Sequence, residues 1–126
     1  MGIWQTKSKR KSTGGLLHTS ALKRKHATGS NQIKTIIGDL SVKVVRTKGG
    51  NAKAKVVSSS TVNLIDKKTG KAKKVKILDV LENKANPHFV RQKLLTKGAV
   101  VKTDAGKVKI TSRPAQDGVV NGVVVE

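Results

Sequence analysis

The chain has 126 residues, 27 Lys or Arg against 7 Asp or Glu, a formal net charge of +20 and no cysteine. That balance excludes a disulfide framework and a thiolate metal site, and it calls for a polyanionic partner. Seventeen valines, nine leucines and seven isoleucines stand beside only two aromatics, Trp4 and Phe89, a supply that favours strands and suits one small domain.

Residues 1–34 hold eight Lys or Arg and no carboxylate. A segment so charged and so rich in Ser, Thr and Gly cannot bury a core, and it is predicted as an extended basic N-terminal arm, disordered unless bound to RNA. Its cations fall in two runs, Lys7-Ser8-Lys9-Arg10-Lys11-Ser12-Thr13-Gly14-Gly15 and Lys23-Arg24-Lys25-His26. Trp4 is read as an anchor against RNA or the folded body.

Residues 35–126 are predicted as an all-β domain, a small antiparallel barrel of about six strands with one short helix. Ile36 to Arg46 reads as a strand pair or one bent strand, stopped by Lys48-Gly49-Gly50-Asn51. Ala52 to Ser60 and Thr61 to Asp66 read as strands, and Gly70 supplies a left-handed residue to close the next hairpin. In Lys73 to Glu82 the apolar phase changes after Ile77, which predicts a bulge or bend. Asn86 and Pro87 can start a helix of two turns at most, with Gly98 as its stop. Strands resume at Ala99–Thr103, Lys107–Ser112 and Val119–Val125, with turns at Asp104-Ala105-Gly106 and Arg113–Gly118. Closure would hide Val-rich edges.

Catalytic chemistry is thin. His18 and His26 have no acidic or Cys neighbour, so they read as exposed polar groups near phosphate rather than metal ligands. Asp79 and Glu82, three apart on a strand, face opposite sides, and surface pairing with Lys76 and Lys84 fits them better than acid/base work. Neither a phosphate loop nor a dinucleotide fingerprint occurs. The reading is therefore no enzyme, no metal and no cofactor. No apolar stretch approaches a signal or membrane segment, so no membrane partner and a cytoplasmic location are expected.

Two aromatics cannot build a base-stacking platform, and a short helix cannot read a duplex DNA groove. What remains is grip by Lys, Arg and backbone N–H groups on the phosphates of a structured RNA. Gly14-Gly15 and Gly49-Gly50 serve either close backbone approach to phosphate or tight turns, and spacing alone leaves both open. The lysines at 67, 68, 71, 73, 74 and 76 read as a solvated hairpin face tilted toward RNA by the shortage of acids.

Several blocks resemble a known family. Trp4-Gln5, Arg10-Lys11-Ser12-Thr13-Gly14-Gly15 and Lys23-Arg24-Lys25 are similar to the N-terminal signature of the eighth small-subunit ribosomal protein of the eukaryotic type, shared by archaea and eukaryotes. Val45–Asn51, Lys74–Leu78, Asn86–Arg91, Thr96–Ala99 and Thr111–Asn121 resemble further family blocks in the family's order, and the short length resembles archaeal members. The resemblance implies a structural small-subunit protein with small-subunit ribosomal RNA and neighbouring ribosomal proteins as partners. It implies RNA contacts at Arg10, Lys11, Thr13, Gly14, Gly15, Lys23, Arg24, Lys25, Arg46, Lys48, Gly50, Asn51, Arg91, Lys97 and Arg113, to which the first basic run adds Lys7 and Lys9. Leu16-Leu17 and Ala21-Leu22 are more apolar than the family's arm and are expected to pack on a neighbouring protein. The alternatives are a ribosome-biogenesis factor and a non-specific nucleic-acid binder.

Overall fold

Strands dominate a computed structural model that describes residues 3–5, 7–18, 24–66 and 70–125. The chain divides into two units, residues 1–32 and 33–126. In the first, strand β1 (Ile3–Trp4) pairs antiparallel with β2 (Thr28–Gly29). A second, tighter turn-back bridges Arg10 to Leu16. The described part of the arm thus turns back on itself at two places.

The second unit holds a two-stranded sheet, β3 (Ser41–Arg46) with β4 (Ala52–Ser58), and a closed barrel. The barrel strands are β5 (Thr61–Ile65), β6 (Ala72–Glu82), β7 (Val100–Thr103), β8 (Gly106–Ile110) and β9 (Asn121–Val124). An odd number of strands cannot alternate direction all the way round, so one neighbouring pair must be parallel. That pair is β5 with β9, Asn63 facing Asn121 and Leu64 facing Gly122. The expected barrel is present, with five strands rather than about six and one parallel seam.

Alternation fills the barrel. Val62 and Leu64 of β5, Val101 of β7, and Val108 and Ile110 of β8 are buried, and Leu95, Ala99 and Val120 join them from the connections. In β6 the register slips between Ile77 and Asp79 and again between Val80 and Glu82. These irregularities place Ile77 and Val80 inside although they are three apart, and leave Leu78 and Leu81 exposed. Gly122 lies in the seam because a Cβ there would collide with the Val108 side chain and sit 3.1 Å from the Lys109 carbonyl. Asn63 Nδ2 donates to Asn121 Oδ1 at 3.0 Å across the same seam.

Helix α1 (His88–Arg91) is one turn long. Asn86 Oδ1 accepts the His88 N–H at 2.9 Å, as a capping side chain does. The helix ends before Gly98, because Lys93 takes up the left-handed conformation (φ 51°) that glycine usually fills. A second turn, α2 (Pro114–Asp117), stands where a plain turn was expected. Proline at its start and left-handed Gly118 (φ 76°) at its end are the sequence signs of a helix. Asp117 Oδ2 accepts the Arg113 N–H at 2.7 Å. α2 packs on β4, where a Cβ at Gly118 would lie 2.8 Å from the Ala54 Cβ.

Candidate nucleic-acid interface

Three places carry the predicted contact residues. In the arm, Lys11, Ser12, Thr13 and Gly14 form a turn in which the Gly14 N–H donates to the Lys11 carbonyl at 3.0 Å. The Lys11 N–H donates to Gly15 O at 2.9 Å, and the Leu17 N–H to Lys9 O at 2.8 Å. A left-handed residue in the third loop position is what a three-residue hairpin needs, and Gly14 supplies it with φ 84°. Arg10 Nη1 donates to the Gly14 carbonyl at 2.8 Å, so this guanidinium also clamps the turn. Lys7, Lys9, Arg10, Lys11, Thr13, Gly14 and Gly15 are all exposed.

The arm's other run begins at Lys23, which lies outside the described residues. Arg24 and Lys25 are exposed around a single 3-10 turn, Lys25–Ala27, whose Ala27 N–H donates to Arg24 O at 3.0 Å. The Gln5 N–H donates to Ala27 O at 3.1 Å, beside the pairing of β1 with β2. Trp4 is 38% exposed on β1.

The tip of the β3–β4 hairpin is the second place. The Thr47 N–H and Oγ1 both donate to the Asn51 carbonyl, at 2.6 and 3.0 Å. Asn51 Nδ2 donates to Lys48 O at 3.3 Å. Gly49 and Gly50 have φ 74° and 75°, with open space around Gly50. Conformation therefore accounts for glycine at 49, 50 and 14. Gly15 has no such φ and only an ordinary contact, with Thr13 Oγ1 at 3.8 Å from a built Cβ. Arg46, Lys48, Gly50 and Asn51 are exposed together at this tip.

Arg91, Lys97 and Arg113 stand at three separate points of the body: the end of α1, the turn before Gly98, and the start of α2. All are exposed, and among the described residues no hydrogen bond joins one to another. Arg113 is on the helix that backs the hairpin, and its Nη1 reaches Gln116 Oε1 at 3.5 Å.

Acids take little of the positive charge. Asp79 Oδ1 accepts the Val80 N–H at 2.9 Å and meets Lys93 Nζ at 3.4 Å, and Asp79 stands opposite Lys102. The Val80 N–H first, then the Lys93 ammonium, holds the Asp79 carboxyl below its ordinary range. Its partners are thus Lys93 and Lys102 rather than Lys76, because the register slip turns it toward β7. Among the described residues no group of three or more His, Cys, Asp or Glu could hold a metal ion, and no helix is long and apolar enough to cross a membrane.

Residues 4–125 match the model of the Ribosomal protein S8e family. The chain belongs to that family. It is 50% identical to the small ribosomal subunit protein eS8 of Methanocorpusculum labreanum over 98% of its own length and 99% of that relative's. It is 45% identical to the protein of the same name from Methanosphaera stadtmanae, with 100% of each chain covered, and 47% identical to that of Methanospirillum hungatei. These relatives are archaeal, as the short S8e length suggested. The S8e match spans the arm turn, the hairpin tip and the barrel alike.

Proposed function

We propose that this S8e chain is a structural constituent of the cytoplasmic small ribosomal subunit that binds ribosomal RNA. It acts by binding, without catalysis, with neighbouring ribosomal proteins beside it. The observation that carries the reading is the pairing of a full-length family match with 27 cations against 7 acids. The arm residues Lys7, Lys9, Arg10, Lys11, Thr13, Gly14, Gly15, Lys23, Arg24 and Lys25 neutralise phosphates where RNA helices converge. The hairpin tip, with Arg91, Lys97 and Arg113, fixes the body on the RNA. The arm reaches a single conformation only on that RNA, while the barrel folds independently and sets where the arm starts.

Competition binding at moderate salt tests this. Labelled small-subunit ribosomal RNA should be displaced better by itself than by large-subunit ribosomal RNA or duplex DNA. Equal displacement by all three would mark a general polyanion binder. Absence of the protein from mature small subunits would mark an assembly factor instead.

A further inference from the structure

The β3–β4 register sets Lys43 directly opposite Lys55 and Val45 opposite Lys53. Strand side chains alternate, so Lys43, Lys53 and Lys55 share one face and Val42, Val44, Ala54 and Val56 the other. The second face is covered only at its β4 end, where Val56 is 1% exposed and Ala54 is backed by Gly118, while Val42 and Val44 are 42% and 67% exposed. On the lysine face Lys43 and Lys53 are exposed, and Lys55 and Val45 are half-buried. No ion pair reaches any of the three among the described residues. Asp117, the acid on the packed helix α2, accepts the Arg113 N–H.

Like charges directly across a ladder repel and weaken it. A lysine on an edge strand has an ordinary use, discouraging strand addition by another chain. β3 and β4 form a two-stranded sheet, so each strand is an edge and one lysine on each would meet that need. Setting Lys55 directly opposite Lys43, with Lys53 on the same face as a further lysine of β4, adds repulsion that protection does not require. Cross-strand neighbours lie ~5 Å apart and same-face neighbours on one strand ~7 Å apart, so the three ammonium groups sit within a single Debye length. They form a concentrated field of flexible point charges, suited to backbone phosphate rather than to base edges.

We propose that Lys43, Lys53 and Lys55 form a phosphate-binding ridge that takes neighbouring phosphates of one RNA strand, beside the hairpin tip. The inference rests on the RNA-binding reading above. The repulsion built into the free hairpin is relieved when the RNA is bound.

The test compares two full-length variants of equal net charge: Lys43→Gln/Lys53→Gln/Lys55→Gln and, on the barrel, Lys102→Gln/Lys107→Gln/Lys109→Gln, where Lys102 also faces Lys107 across a ladder but has the acid Asp79 opposite it on the other side. Binding to small-subunit ribosomal RNA is measured across a salt series. Each lost phosphate contact lowers the slope of log K against log salt by roughly 0.7 to 0.9, so the hairpin variant should lose about 2 to 3 and bind at least about tenfold more weakly. The barrel variant should change less than about threefold if its lysines meet no phosphate. Equal losses in the two variants overturn the ridge and leave RNA binding standing. Failure of the wild-type chain to prefer this RNA overturns both. In RNA-free protein, Lys43→Gln alone should raise the melting temperature while weakening binding. A lowered melting temperature with unchanged binding overturns the ridge, and this single substitution keeps the test sound if the triple variant folds poorly.

Discussion

The arm and the body hold themselves together by different means. Among the described residues 3–5, 7–18 and 24–32 no hydrophobic side chain is buried, and Ile3, Leu16 and Leu17 are 52%, 66% and 42% exposed. What order the arm has comes from backbone hydrogen bonds, one left-handed glycine and the Arg10 clamp. The body holds the buried core, from Val62 to Val120, inside a ring of strands. Turns without a core are marginal in water, whereas a closed barrel is cooperative. A partner can therefore reshape the arm at low cost without disturbing the body.

The bluntest way to break this contrast is to remove residues 1–32. Seven cations leave with them, and RNA affinity should fall about 10³-fold at moderate salt. Thermal unfolding of the remainder should shift by less than about 3 °C, since the core is untouched. A large drop in melting temperature would refute the division. Striking the barrel instead, Gly122→Ala should destabilise by about 3 kcal/mol in urea unfolding, because Val108 and the Lys109 carbonyl of β8 leave no room for a methyl group. Spectra of the arm should not change.

Smaller changes sharpen the comparison. Gly14→Ala forces a Cβ into a left-handed backbone (φ 84°) at a cost of about 1 kcal/mol, which weakens RNA binding about fivefold with no effect on barrel unfolding. In the body, Lys93→Gly relieves the backbone at φ 51° and should stabilise by about 0.5 kcal/mol, because the exposed ion pair it gives up contributes little. Smallest is the acid response. The Asp79 carboxyl titrates lower folded than unfolded, so its contribution is complete above the unfolded range near about 3.9 and is lost as pH falls through the folded value. Asp79→Asn should flatten that part of the acid unfolding curve and leave stability at neutral pH nearly unchanged.

Local chemistry was readable in the sequence. The alternation in β5, β7 and β8 marked their buried faces, the broken phase after Ile77 marked the irregular β6, and Asn86 marked the start of α1. Basic runs and glycine pairs marked the arm turn and the hairpin tip. Features that depend on distant pairing were not readable. The parallel seam joins residues 63 and 121, and no window of sequence contains both. The Lys43–Lys55 opposition depends on a register set by the Thr47–Asn51 turn; the Ala-Lys-Ala-Lys alternation at 52–55 gave only half of it. Helix α2 was legible from Pro114 and Gly118 and was missed because one turn of helix and a tight turn share the same residue signals.

The parallel seam also imposes an order in time. Its two halves, β5 and β9, are the first and last strands of the barrel, so no partial chain ending before Asn121 can close the ring. The arm, encoded ahead of every barrel strand, leaves the synthesising machinery earlier and is available to nucleic acid while the body is still open. If the arm binds RNA as proposed, a nascent chain of this kind meets that RNA with its charged segment first, and ring closure, a slow non-local step, follows.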